Sequence, residues 1–372
     1  MTLEQRIASV ARTLFLPEFS FAANQFQSEH KQQYELADHI VWVDDLLIAF
    51  QLKERRPDLP EANWFENKVL KKATRQVRDT LTFLSQHKEI MLENQRGHRF
   101  TLSPAILARK FMVVVYDEPP SVLYRARPNH HLSRTAGLIH LLRTSDLIDV
   151  CRTLITLSEI ASYLEFRAKI VRANSLPSER AILGQFLRGA SDELPDEGNA
   201  AEFLRFRRDR SRFDIRWFFK ELPKVIHTYH DGNNRAYYEI LREYVLLDRF
   251  ELEQARIRIG MVNESLTHSS NLPPVLMATQ RGTCFVWIAV PDRNFAQRHI
   301  LLQNMLLLAK YVSRSQRCVG MAYAIRPDGL IELDMAYVDE PWAPDPVAEQ
   351  HLAEHNPFLP FGIVTKPGYR ID

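Results

Sequence analysis

Asp38, Gln51 and Lys53 are the residues of this chain whose types and spacing best suit chemistry. A carboxylate offers a divalent cation a hard anionic oxygen, and an amide carbonyl offers a weaker neutral one. An ammonium group orients or helps to deprotonate a water and balances charge on a phosphate. Together they suit metal-assisted attack of water on a phosphodiester. All three border apolar sequence, Ile40-Val41-Trp42-Val43 and Leu46-Leu47-Ile48-Ala49-Phe50. Runs of this kind are built for burial. A buried polar group left unpaired costs roughly 1–3 kcal/mol, so three of them in one place need a reason.

The elements that must position them read as two short strands joined at Asp44-Asp45. If the hairpin turns symmetrically there, Val43 faces Leu46, Trp42 faces Leu47 and Ile40 faces Ala49. Asp38 then lies opposite Gln51, with Cβ atoms about 5 Å apart on one face. Lys53, two residues beyond Gln51, points the same way. A slip of one residue would send Asp38 and Gln51 to opposite faces. Asp-Asp is not a favoured two-residue turn, but a four-residue loop preserves the register. The plainer account is that an Asp at a strand start and a Lys at a strand end both reach water.

The spacing Asp38-(x)12-Gln51-x-Lys53 in a strand–turn–strand resembles the PD-(D/E)XK nuclease superfamily. It is most similar to the Mrr-like restriction endonuclease branch, in which Gln replaces the second acid. Glu35-Leu36-Ala37-Asp38 and Gln51-Leu52-Lys53 carry the likeness, and Ala37 stands where the family name has proline. The resemblance covers roughly residues 1–118 and implies an α-β-β-α-β core of restriction-endonuclease type. It implies Mg²⁺ or Mn²⁺ held by Asp38, Gln51 and the main-chain carbonyl of Leu52, with Lys53 acting on the water. It also implies a Glu on the first helix. Glu4 is the only acid of the helix expected over residues 2–14, and Glu18, Glu29 and Glu35 are its rivals. Asn63 to Gln86 reads as a long helix with Val69, Ala73, Val77, Leu81 and Leu84 as its apolar stripe. In the family the matching helix lies beside the site, which makes Lys72 and Gln76 candidate nucleic-acid contacts. Lys110 to Tyr116 supplies another buried strand, and residues 20–26 are one candidate for the first.

A length of 372 residues fits two or three domains. Net charge is +2, from 48 basic and 46 acidic residues, so a nucleic-acid site must be a local patch. Cys151, Cys284 and Cys318 are too few and too scattered for a disulfide framework or a zinc motif. With a charged N-terminus, that fits a cytoplasmic protein with no membrane partner. There is no Walker motif or other Gly-rich phosphate loop.

Pro119-Pro120 marks an expected boundary, and three domains follow: 1–118 nuclease-like, 119–275 mainly helical, and 276–372 a small α/β domain. Residues 138–150 and 151–173 carry Leu and Ile at helical spacing. Arg205, Arg207, Arg208, Arg210, Arg212 and Arg216 interleave with Phe203, Phe206, Phe213 and Trp217. Arg207, Arg208 and Arg210 are candidate phosphate contacts, because guanidinium engages phosphate bidentately. The alternative is a solvated helix face. In the last domain, residues 283–290 read as a strand, 295–312 as a helix, and 319–325 with 330–338 as a hairpin. Glu332 and Asp334 on its final strand read as side chains pointing to water.

The expected function is a divalent-metal-dependent endonuclease acting on nucleic acid, DNA favoured over RNA. The resemblance extends this to an effector of bacterial restriction or phage defence, working as a dimer or with a partner protein of such a system. The alternative is a catalytically inactive nucleic-acid or protein-binding module with a nuclease-like core, and a weaker third reading is a structural or assembly subunit.

Overall fold

Two unbroken apolar runs separated by Asp44-Asp45 decide where the first sheet turns back on itself. In the computed structural model β1 (Ser20–Ala22) is followed by a small ribbon of β2 (Gln25–Gln27) and β3 (Gln33–Glu35). Then comes the hairpin of β4 (His39–Val43) and β5 (Leu46–Lys53). Val43 pairs with Leu46, Trp42 with Leu47 and Ile40 with Ala49, the register that symmetry about Asp44-Asp45 requires. The loop is only two residues long, and Asp44 takes φ 49°, a left-handed conformation that Asp tolerates better than most residues. The Trp42 indole N–H donates to the Asp44 carbonyl at 2.8 Å and braces the turn.

The structure describes residues 3, 6–7, 16–22, 25–27, 33–55, 61–117, 127–172, 177–189, 194–208, 235–267 and 272–358. The protein is mixed α/β and divides into two units, Met1–Arg210 and Ser211–Pro367. Among the described residues no helix is long and apolar enough to cross a membrane.

In the first unit, a helix in three stretches, Glu61–Trp64, Phe65–Ala73 and Thr74–Gln86 (together α1), follows the hairpin. Its middle stretch is wound as a π-helix. The wider turn brings residues four apart nearly into line, so Phe65, Val69 and Ala73 all reach the sheet. The half-exposed hairpin β6 (Ile90–Glu93) and β7 (Arg99–Leu102) leads to β8 (Arg109–Tyr116). β9 (His130–Ser133) and β10 (Gly137–Arg143) complete a six-stranded sheet in the order β1-β4-β5-β8-β10-β9. β5, β8 and β10 run parallel, and the outer neighbours are antiparallel. Parallel strands lie between two covered faces, which explains their unbroken apolar runs.

Residues 137–143 therefore form a strand and not the start of a helix, and His130 and His131 lie in β9. A short apolar run such as Leu138 to Leu142 fits either period, and pairing with β8 decides it. That pairing carries the sheet past the boundary expected after residue 118. Helices α2 (Thr144–Thr153), α3 (Leu157–Arg172), α4 (Glu179–Arg188) and α5 (Glu197–Arg208) follow. α3 opens on a capping box: the Glu159 carboxylate accepts the Thr156 N–H at 3.3 Å, and Thr156 Oγ1 accepts the Glu159 N–H at 3.3 Å.

α4 and α5 meet at Gly184, where a Cβ would lie 1.8 Å from the Asn199 carbonyl oxygen. Backbone cannot yield as a flexible side chain can. Gly184→Ala is expected to lower the unfolding free energy by about 3 kcal/mol in a urea titration. A loss within error of zero would show that the two helices separate freely.

The second unit contains α6 (Arg235–Val245), α7 (Arg249–Thr267), β11 (Val275–Ala278), β12 (Thr283–Val290), α8 (Arg298–Ser313), β13 (Arg317–Ile325), β14 (Ile331–Asp339) and α9 (Pro346–Glu354). The sheet order is β11-β12-β13-β14, with β12 and β13 parallel and α8 as their crossover. Leu302 and Leu306 of α8 seat on Gly320, where a Cβ would come within 2.9 and 3.0 Å of them. The boundary expected after residue 275 falls inside this unit, because α7 packs on β11 and β12. Glu332 and Asp334 do not simply point to water. Arg298 of α8 pairs with Glu332 at 2.8 Å and with Asp334 at 2.7 Å, and Asp334 is buried.

Candidate functional site

The open end of the β4–β5 hairpin lies at the carboxyl ends of the parallel strands, the edge at which open α/β sheets bind ligands. Side chains of one parity, Ile40, Trp42, Leu47, Ala49, Met112 and Val114, pack against Val69, Ala73 and Val77 of α1. Asp38, Gln51 and Lys53 continue that face beyond the last apolar pair. α1 is pinned to the chain just before Asp38, because Thr80 Oγ1 donates to the Leu36 carbonyl.

Asp38 Oδ2 accepts the Leu52 N–H at 2.5 Å and lies 3.4 Å from Lys53 Nζ. Lys53 Nζ also donates to the Leu52 carbonyl at 2.8 Å. The ammonium thus bridges a carboxylate oxygen and a main-chain oxygen. Both side chains are largely covered, at 12% exposure for Lys53 and 17% for Asp38. Gln51 is buried, and its Oε1 has no hydrogen-bond partner. This orphaned acceptor, the Asp38 carboxylate and the Leu52 carbonyl are hard oxygen donors of the kind that suits Mg²⁺ or Mn²⁺. With Gln in place of an acid they carry a single formal negative charge. Among the described residues no group of three His, Cys, Asp or Glu could hold a metal.

His39, next to Asp38, is buried, and burial pulls its pKa down to about 4. His140 on β10 is also buried; burial first, and the neighbouring Arg167 charge second, hold it well below the usual histidine range. Both are neutral in the folded protein at pH 7. The unfolded chain takes up their protons first, so the stability they permit is present above pH 6.5 and lost as pH falls towards 4. His39 alone accounts for about 3 kcal/mol of that loss at pH 4. Urea midpoints measured between pH 7 and pH 4.5 should fall in wild type and fall less in His39→Gln; equal slopes would refute the assignment.

The remaining expected residues divide. Lys72 is exposed on α1, and Gln76, one helical turn on, is half-buried with its Oε1 unpartnered. Both share the helix that covers the face carrying Asp38, Gln51 and Lys53. Glu4 lies outside the described residues. Its neighbours do not: the Leu3 N–H donates to Glu54 Oε1 at 3.3 Å and Arg6 pairs with Asp117 at 2.5 Å. Glu54 and Asp117 directly follow the strand ends Lys53 and Tyr116, and both meet the N-terminal segment. Sequence reading missed these two acids, although each directly follows a recognisable strand. Glu18 pairs with Arg96 at 2.9 Å next to β1, whose first residue Ser20 pairs with Val41, towards the turn end of the hairpin. Glu29 lies outside the described residues. Arg207 and Arg208 end α5, with side chains outside the described residues, and Arg210 lies outside them altogether.

One further cation, in a basic segment, was not assigned to the site. Arg127 lies 4.5 Å over the Phe65 ring, and Phe65 meets Tyr116 edge-on at 5.2 Å. Tyr116 is the strand partner of Lys53 on β8. The basic run Arg125-Ala126-Arg127 was the available signal. Comparison with protein-family models, curated proteins and solved structures gives no match to this chain.

Proposed function

We propose that this chain is a divalent-metal-dependent nuclease whose active site is the open end of the first hairpin. One observation carries the reading: Asp38 contacts the Leu52 N–H and Lys53 at the carboxyl edge of a parallel sheet, with the carbonyl oxygen of neighbouring Gln51 buried and unpartnered. Structure of this kind supports a restriction-endonuclease-like core of PD-(D/E)XK type. Asp38, Gln51 and the Leu52 carbonyl would hold the cation. Mg²⁺ or Mn²⁺ bound there supplies charge stabilisation at a phosphate and a more acidic water. Lys53 would orient an attacking water or donate to the phosphate oxygen on which charge develops. Lys72, Gln76 and Arg127 lie on the elements that would guide a nucleic-acid backbone towards it, and duplex DNA is the favoured substrate. Cutting both strands calls for a dimer or a partner protein, as in a restriction or phage-defence system.

A second reading has an observation of its own. Asp38 is already satisfied by the Leu52 N–H and Lys53, as in a core kept only for binding. The test is cleavage of plasmid, linear duplex and single-stranded RNA with Mg²⁺ or Mn²⁺. Metal-dependent cutting lost in Asp38→Ala and Lys53→Ala supports the nuclease; nucleic-acid binding without cutting in every form supports the binding module.

A further inference from the structure

We infer that the Lys53 ammonium is the internal counter-cation of this site, and that a divalent cation binds only by displacing it from the Leu52 carbonyl. The inference rests on the metal-site reading above and adds a regulatory step to it. Lys53 Nζ donates to the Leu52 carbonyl at 2.8 Å and lies 3.4 Å from Asp38 Oδ2. Those are two of the three oxygens that would coordinate the cation. An ammonium and a divalent ion in contact with that same oxygen pair would repel each other strongly in a partly buried site, which favours displacement of the ammonium.

The third oxygen, Gln51 Oε1, is buried without a partner. An ammonium with two acceptors already engaged leaves this amide unserved, whereas an ion with six or more ligand positions takes all three oxygens. The site is thus satisfied at two of its three oxygens by its own lysine and at the third only by an incoming ion. Once displaced, the same ammonium is released on the same face at the moment that metal arrives. One side chain thereby couples metal loading to the availability of the group that would act on water or phosphate. Without metal, the lysine is held against its own backbone.

The experiment uses the intact chain and Mn²⁺ alone, without nucleic acid. Calorimetry gives Mn²⁺ affinity for wild type, Lys53→Gln and Asp38→Ala. In parallel, pulse acetylation with mass spectrometry reads the reactivity of Lys53 with and without Mn²⁺, with exposed Lys68 and Lys72 as internal references. Displacement predicts that Lys53 acetylation rises several-fold on Mn²⁺ addition while the references stay constant. It also predicts that Lys53→Gln binds Mn²⁺ about tenfold more tightly than wild type, since no bridge has to be broken. Tight binding by Lys53→Gln alone, with none by wild type, is the extreme form of the same result.

If wild type binds Mn²⁺ through Asp38 but Lys53 acetylation is unchanged or falls, the lysine stays in place. The displacement inference then fails and the nuclease reading stands. If neither wild type nor Lys53→Gln binds Mn²⁺, or if Asp38→Ala binds it equally well, both fail together. Should Lys53→Gln not fold, the acetylation of wild type decides the matter by itself.

Discussion

Asp38→Ala is expected to lower metal-dependent cleavage by about 10³-fold, and Lys53→Ala by 10²-fold or more, with folding retained in each. Asp38 is the only formal negative charge in the proposed ligand set, so its loss leaves two neutral oxygens, the Gln51 amide and the Leu52 carbonyl, to hold a divalent ion. Lys53→Ala removes no proposed ligand and should not weaken metal binding, while the chemical step fails. The measurement is single-turnover cleavage at saturating Mn²⁺, with near-ultraviolet circular dichroism as a check on packing. Asp38→Asn separates charge from shape: an amide keeps the volume and one acceptor oxygen, and activity should stay low. Full activity in Asp38→Asn would place the chemistry elsewhere in the chain.

The second large effect concerns stability. Arg167 of α3 is fully buried. Its Nε donates to Glu179 at 2.8 Å, Nη1 to His140 Nδ1 at 3.0 Å, and Nη2 to the Asn129 and Leu141 carbonyls at 2.9 and 3.2 Å. The Tyr163 hydroxyl also donates to Glu179. One guanidinium therefore ties β10 to α3, α4 and the start of β9. Arg167→Met removes the cation and strands the Glu179 carboxylate in an apolar interior. The expected loss is about 3–5 kcal/mol in a urea titration. The double variant Arg167→Met, Glu179→Gln should recover part of that loss, because no charge is then left unpaired. A single-variant loss below about 1 kcal/mol would mean that water reaches the site and screens the pair.

Much of the site was legible in the residues themselves. Symmetry about Asp44-Asp45 gives the observed register of β4 on β5, from Val43 against Leu46 to His39 against Phe50, and that register was readable without tertiary information. The stripe Val69, Ala73, Val77 and Leu84 likewise marked the covering helix and the face it buries. The strand at Lys110 to Tyr116 and the hairpin of the second unit were equally plain, since long apolar or alternating runs closed by turn residues have few other folds.

What the sequence could not carry depends on contacts between distant segments. Leu138 to Leu142 suits a helix or a strand by period, and the parallel edge of β8 makes it a strand. Glu332 and Asp334 looked like outward-facing acids until Arg298, more than thirty positions earlier, closed on both. Glu54 and Asp117 follow the strand ends Lys53 and Tyr116, yet are engaged by Leu3 and Arg6, far away in the chain. The residue types at Asp38, Gln51 and Lys53 and their spacing were given by the sequence, because residue type and strand period are local properties. That the Lys53 ammonium bridges two of the proposed ligand oxygens and leaves the Gln51 carbonyl orphaned was decided only by tertiary structure, because side-chain hydrogen bonding follows from packing and has no period to be read.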